Sequence, residues 1–161
     1  MKQQQKNNPV SLKKMQRLMW LMGVVQIPMI AFAKPRLKQL DDDKAVVRIR
    51  LRRRTRNHLK SMYFGALAVG ADVAAGIHAY YFAKKSGDNI SFAFKSVNGQ
   101  FLQRATTDVS FESVDGKLVE SAFLEAKKTK ERVNQMVMVN AYNTQREIVA
   151  TFEMEISVKV K

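Results

Sequence analysis

An aspartate stands where one is expensive to keep. Asp72 lies in a run from about Met62 to Lys85 that is built largely of Gly65, Ala66, Ala68, Gly70, Ala71, Ala74, Ala75, Gly76 and Ala79. A carboxylate on a buried helix of such small residues is costly without a partner or a purpose. The purpose would be to activate water as a general base, or to attack a carbonyl as a nucleophile. The partner would be one of the many arginines, and taken alone this paired reading comes first, because structural ion pairs also bury carboxylates. Fifteen residues upstream, Asn57 opens the polar stretch Asn57-His58-Leu59-Lys60-Ser61. Its amide could orient a ligand by hydrogen bonding, although asparagine more often serves as a turn residue or helix cap.

Other chemistries are thinned out by composition. The chain has no cysteine, which removes disulfides, thiolate metal sites and a cysteine nucleophile. Two histidines, His58 and His78, are too few for a histidine cage, so no metal is expected. His78, among alanines and tyrosines, reads as a core or interface residue. There is no phosphate-cradling glycine loop, serine elbow or HExxH run. With 28 Lys and Arg against 14 Asp and Glu, the net charge of +14 attracts polyanions: nucleic acid, an anionic membrane, or the phosphates of coenzyme A. The run Arg48 to Arg56 is the densest basic segment. It reads first as the solvated face of a strand and second as a phosphate clamp made by Arg52, Arg54 and Arg56, since guanidinium groups match phosphate oxygens. Nucleic acid has the charge in its favour, but no recognition module accompanies it, and it is not expected as a partner.

These residues need elements to hold them. At 161 residues, with 46% hydrophobic and 26% charged residues, one compact unit is expected. Residues 1–9 read as a mobile polar tail. Leu12, Met15, Leu18, Met19 and Met22 recur at helical spacing, which predicts an amphipathic helix over about 11–24 docked on the body. The apolar run Leu18 to Ala33 resembles a signal peptide, but it is shorter than a membrane span and Pro28 interrupts it. No membrane partner is therefore expected, and the location is read as cytoplasmic. Asp41-Asp42-Asp43 reads as a turn. Val47, Ile49 and Leu51 alternate with arginines and predict a first strand over 45–54. A central helix over about 62–85, stopped by Gly87, comes next. Strand-like stretches at 90–94 and 101–112, a short helix over 117–130, and strands over 133–141 and 147–160 complete the chain. Asn98-Gly99 marks either a hairpin turn or a bulge in one long strand. The order is α+β, and the small-residue helix calls for a strongly curved sheet wrapped round it.

The run Asn57-His58-Leu59-Lys60-Ser61-Met62-Tyr63-Phe64-Gly65, followed by Asp72, resembles the signature of hot-dog thioesterases. Among these the DUF4442 group is nearest, and phenylacetyl-CoA thioesterases are similar in the motif. In that wider family an Asn precedes a His-Gly-Gly at the helix start by six residues, and an acid follows that His by nine. Here Asn57 is six before Tyr63 and Asp72 is nine after it. The specific motif covers 16 residues, while the order of elements agrees from about Pro28 onward. Three residues depart from it: Tyr63 replaces the His, Phe64 the first Gly, and Lys60 a Gly expected three after Asn57.

The resemblance implies a hot-dog fold, a long central helix wrapped by five or six antiparallel strands. Residues 1–35 would form a tail and docking helix, and 36–161 the hot-dog domain. It implies hydrolysis of an acyl-CoA or related thioester without a cofactor, at a site shared between the subunits of a homodimer or homotetramer. Asp72 would be the nucleophile or base, Asn57 would position the thioester or the water, and Ser91 would help hold the water. A helix start offers unpaired N–H groups and partial positive charge to a carbonyl oxygen becoming an oxyanion, here from Phe64 and Gly65. The bulk of Phe64 and Tyr63 also fits a rival reading, a protein that binds acyl-CoA or fatty acyl groups without turning them over. His58, beside the matched Asn, is off the motif, although hot-dog dehydratases pair a His with a helix acid.

Overall fold

The computed structural model describes residues 10–161; the tail read over 1–9 lies outside the described residues. Helix α1 (Leu12–Val25) and the short helix α2 (Pro28–Ala33) precede a hairpin of β1 (Arg36–Leu40) and β2 (Ala45–Ile49). The long helix α3 (Phe64–Ser86) follows, then β3 (Ile90–Phe101), β4 (Val109–Ser113), α4 (Gly116–Thr129), β5 (Val133–Tyr142) and β6 (Ile148–Val160). The strands form one antiparallel sheet in the order β1-β2-β4-β5-β6-β3. Its inner face carries Val47, Ile49, Phe111, Val137, Val139, Phe152 and Ile156, all buried against α3 and α4.

The expected α+β architecture is present, with corrections in its first half. Residues 36–40, to which the sequence reading gave no element, form a strand that Asp41 turns into a hairpin: its Oδ1 accepts from the backbone N–H of Asp43 and Lys44 at 3.0 and 2.8 Å. The acidic turn is then held to α3. Asp42 accepts from the Tyr81 hydroxyl and from Lys85, both at 2.8 Å, and the His78 ring nitrogen Nε2 lies 3.1 Å from the Asp41 carbonyl oxygen.

The strand expected to reach residue 54 stops at Ile49. Thr55 is buried and folds the chain back: its Oγ1 accepts from the Arg52 N–H at 2.9 Å and donates to the Arg50 carbonyl at 2.7 Å. Arg52, Arg54 and Arg56 therefore lie beyond the strand, in and beside a turn. Residues 90–101 make one strand, with β4 starting only at Val109. Its irregularity falls between Phe94 and Ser96, and Asn98 and Gly99 pair regularly with Glu153 and Phe152.

The small residues of α3 do what their composition implied. Gly70 faces the Phe111 ring so closely that an added Cβ would overlap it, and at Gly76 a Cβ would lie 3.2 Å from the Phe92 ring. The helix lies close against the sheet because its glycines leave room for the Phe111 and Phe92 rings. Gly87, at φ 75°, takes the left-handed conformation that ends α3.

The two sheet edges are treated differently. At β1, α1 lies alongside, and Gln16 accepts the Leu37 N–H at 2.7 Å. The outer edge of the twelve-residue β3 has no strand beside it among the described residues.

Two changes test this packing. Gly70→Ala must push against fully buried Phe111, so it should destabilise the protein by about 1–3 kcal/mol in thermal or urea unfolding, as overpacking does. Lys60 closes the turn after Asn57 at φ 62°, a conformation that costs a side-chain-bearing residue about 1–2 kcal/mol. Lys60→Gly should stabilise by about 0.5–1 kcal/mol, since glycine's extra freedom in the unfolded chain offsets part of the gain.

Candidate functional site

Asn57 sits at the head of a tight turn into α3. Its backbone N–H donates to the Ser61 carbonyl at 2.8 Å, and its side-chain Oδ1 accepts from the N–H of Leu59 and Ser61 and from the Ser61 hydroxyl at 2.9, 3.2 and 3.2 Å. Because two backbone donors converge on one side-chain atom, that atom is the amide oxygen and the Nδ2 group points away from the turn. Asn57 is thus both the turn residue and a donor left available. The turn requires a left-handed residue at Lys60, which is the physical reason for the glycine in the related motif.

The helix begins at Tyr63, whose side chain makes no cap hydrogen bond. The Tyr63 carbonyl accepts from Ala66 and Leu67, whereas the N–H groups of Phe64 and Gly65 have no partner among the described residues. Open donors at a helix start suit an anionic oxygen. Aromatic rings stand round them: Tyr63 against Phe64 with centroids 4.7 Å apart, and Phe64 against Phe101 at 6.4 Å. Tyr63, Phe64, Phe101 and the neighbouring Val97 are large apolar groups left exposed.

Asp72 is two turns further on. It borders an apolar cavity of about 180 Å³ enclosed by Met19, Met22, Ile27 and Ile30 from the α1–α2 pair, by Gly76 and Tyr80 from α3, and by Phe92 and Phe94 from β3. Asp72, Gly76 and Tyr80 are spaced four apart and so share one helix face. The missing side chain of Gly76 leaves the floor open between the two polar groups. Burial pushes the Asp72 carboxyl up to about 6. Among the described residues it has neither a hydrogen bond nor an ion pair, so the arginine pairing that the sequence allowed is not formed. Burial, and then the Asp72 charge, raise the Tyr80 hydroxyl above its ordinary value.

The sign of the consequence is fixed. Between the unfolded value of 3.8 and about 6, the native state holds a proton that the unfolded chain has released. Stability from this group is therefore fully present below 3.8 and is lost as the pH rises through 6. Above that, the charged side chain costs roughly 2–3 kcal/mol.

Within one chain the expected residues do not meet. Eight residues of helix separate Phe64 from Asp72, a rise of about 12 Å, and neither Asn57, Phe64, Gly65 nor Ser91 lines the cavity. Ser91 is instead held by Arg132, whose Nη2 donates to its hydroxyl at 2.9 Å. Arg54 lies over the Phe32 ring at 5.8 Å, and Arg52 and Arg54 border a cleft with Lys34, Arg36 and Arg50. Arg56 is exposed and bridges to Met62. His58 is exposed in the Asn57 turn. His78 is buried and stacked on Phe82, and burial holds it below its usual value; it is a core residue, but its Nδ1 is buried without a hydrogen-bond partner among the described residues. Sequence reasoning missed Tyr80 and the α1–α2 wall. The repeat of polar side chains at 72 and 80 across Gly76 was the only signal for the first.

No curated protein matches the chain. Solved structures do. A protein of unknown function from Chlorobaculum tepidum superposes with a TM-score of 0.81 at 11% identity, covering 96% of this chain and 100% of its own. A candidate thioesterase from Shewanella oneidensis gives 0.79 at 11% identity over 91% and 99% of the two chains. A thioesterase from Haemophilus influenzae gives 0.67 at 8% identity over 94% and 92%. At these identities the likeness is one of fold, and the fold is the hot-dog: a long helix wrapped by a six-stranded antiparallel sheet. One family model matches from residue 16 to residue 158, nearly the whole described chain, and by that match the chain belongs to the family described as Domain of unknown function (DUF4442).

Proposed function

We propose that this protein hydrolyses an acyl-CoA or related acyl thioester in the cytoplasm, at a site assembled between two copies of the chain. The observation that carries this reading is Asp72: a largely buried carboxylate with no partner among the described residues, raised to about 6, facing an apolar cavity. Such a group is poised as a base near neutral pH. The names of solved neighbours as thioesterases agree with it.

The assembly follows from distance. A reacting carbonyl and its base must lie within about 3–3.5 Å of the same water, and one helix cannot bring its start and its ninth residue that close. Pairing of two copies supplies the missing half. The uncovered β3 edge, with Val97, Phe101 and Phe64 exposed beside it, is where a second sheet would add. The helix start of one copy would then face Asp72 of the other.

In that site the thioester oxygen accepts from the N–H groups of Phe64 and Gly65, and the Asn57 Nδ2 donates to the same oxygen or to the water. Asp72 takes a proton from the water as its oxygen attacks the carbonyl carbon. The tetrahedral intermediate collapses, the C–S bond breaks, and the thiolate leaves with the proton from Asp72, giving acid and thiol. Arg52, Arg54 and Arg56 are the candidates for the phosphates of coenzyme A. Ser91, already held by Arg132, has no part in this scheme.

One feature favours a second reading, acyl binding without turnover. The Tyr63 ring covers Gly65, with its Cε1 only 2.5 Å from where a Cβ would stand, and so crowds one of the two donors.

A purified-protein assay against a panel of acyl-CoAs separates the readings. Hydrolysis should rise with pH through an apparent pKa of about 6, because the base must be unprotonated. Asp72→Asn should lower kcat by about 10²–10⁴-fold, the usual range for a lost general base. Asn57→Asp keeps the turn acceptor and removes the donor, so it should lose activity with little change in Tm. Thermal stabilisation by acyl-CoA without release of thiol would establish the binder instead.

A further inference from the structure

The excess charge of this chain is not spread over it. Residues 1–71 hold sixteen of the 28 Lys and Arg but three of the 14 Asp and Glu, and those three are the clustered Asp41, Asp42 and Asp43. Nearly the whole net charge therefore comes from the part of the chain that supplies α1, α2 and the arginine turn.

The same region leaves apolar side chains uncovered. The inner side of α1 is buried through Met15, Met19 and Gly23, and Gly23 lets α2 cross so closely that a Cβ there would lie 2.8 Å from the Ala31 nitrogen. The outer side begins with Lys13, Lys14 and Arg17 and turns apolar at Trp20, Leu21, Val24 and Val25, with Met29 and Phe32 of α2 also bare. Trp20 is 62% exposed and Val25 68% exposed. Clefts bordering this crest are lined by Lys14, Arg17 and Lys84 on one side of Trp20 and by Lys34 and Arg36 on the other, while Arg52, Arg53 and Arg54 surround Phe32. None of these clefts is lined by an acidic residue.

We propose that the outer face of the α1–α2 pair docks this protein peripherally on an anionic lipid bilayer. An apolar helical face with an aromatic residue and a rim of Lys and Arg is the combination that sits at the headgroup boundary, its aliphatic groups among acyl chains and its cations at lipid phosphates. Charge decides against a second copy of the chain, because two such faces would oppose cation to cation. The bare valines and leucine decide against nucleic acid, whose phosphates would leave them unsatisfied. The sequence reading expected no membrane partner and a helix over about 11–24 docked by one face on the body; on the other face Trp20, Leu21, Val24 and Val25 are bare. The inner side of this pair, through Met19, Met22, Ile27 and Ile30, is a wall of the Asp72 cavity. Docking would therefore place that cavity wall at the lipid. The docking claim does not rest on thioester hydrolysis and is tested without it.

Trp20 is the only tryptophan, so the full-length protein carries its own probe. Mixed with vesicles of phosphatidylcholine containing phosphatidylglycerol, Trp20 emission should shift to the blue and be quenched by brominated acyl chains, and the protein should co-sediment. Pure phosphatidylcholine should give little of either. The triple variant Lys13→Gln, Lys14→Gln, Arg17→Gln should weaken vesicle partition by about tenfold or more. Val24→Ser with Val25→Ser should suppress the blue shift, with folding of both variants checked by circular dichroism. An emission spectrum unmoved by anionic vesicles would overturn the proposal. So would Trp20 already shielded from acrylamide in lipid-free solution, which would mean that another copy covers the face, or retention by duplex DNA in place of vesicles.

Discussion

The close approach of α3 to the sheet governs this molecule. Gly70 under Phe111 and Gly76 under Phe92 let a 23-residue helix lie against the strands with almost no side chain between them. These two interior glycines each forfeit about 1 kcal/mol of helix propensity relative to alanine, and contact with the aromatic residues of the sheet compensates. α3 is also, among the described residues, the one helix long and apolar enough to cross a membrane, yet it is mostly buried inside the protein. Where α3 meets α1, α2 and β3, Asp72 stands at the edge of an apolar cavity and is largely desolvated. Its raised carboxyl is a property of the packing, with no charged neighbour needed to produce it.

Much of this was legible in the residues. The run of glycine and alanine announced the wrapped helix, and the alternation in 148–160 announced a buried-face strand. The unpaired carboxylate stood out by its company, and the spacing from Asn57 through Tyr63 to Asp72 carried the family resemblance. What escaped was set by contacts that periodicity cannot express. β1 is five residues long, and only the Asp41 side chain, by capping the turn, makes it a hairpin strand. The end of β2 is fixed by Thr55, a buried hydroxyl with partners on both sides of the turn. The sequence predicted an amphipathic helix with one face docked on the body, but its periodicity did not show that Trp20, Leu21, Val24 and Val25 stay bare on the other side. Lys60 was noted as a departure from a glycine, but only its left-handed backbone explains what the glycine was for.

The two halves of the proposed chemistry lie at different heights along one helix. The open N–H groups at the start and the carboxylate two turns later cannot act on one substrate within a chain. The sheet has α1 along one edge and, among the described residues, no strand beside the other, and it is there that the proposed pairing of two copies would bring a second helix start toward the first chain's acid. The N-terminal helices have a part in each feature: they seal one edge, roof the cavity beside Asp72, and present the basic, apolar surface outward.

The central claim is that Asp72 is largely desolvated and has no partner among the described residues. Carbon-13 NMR of the aspartate side-chain carboxyl, assigned with Asp72→Asn and followed from pH 3 to pH 9, tests it directly. The account predicts a midpoint of about 6 for this one carboxyl. A midpoint at or below the ordinary value of 3.8 would contradict it, by showing a carboxylate that is solvated or paired with a cation.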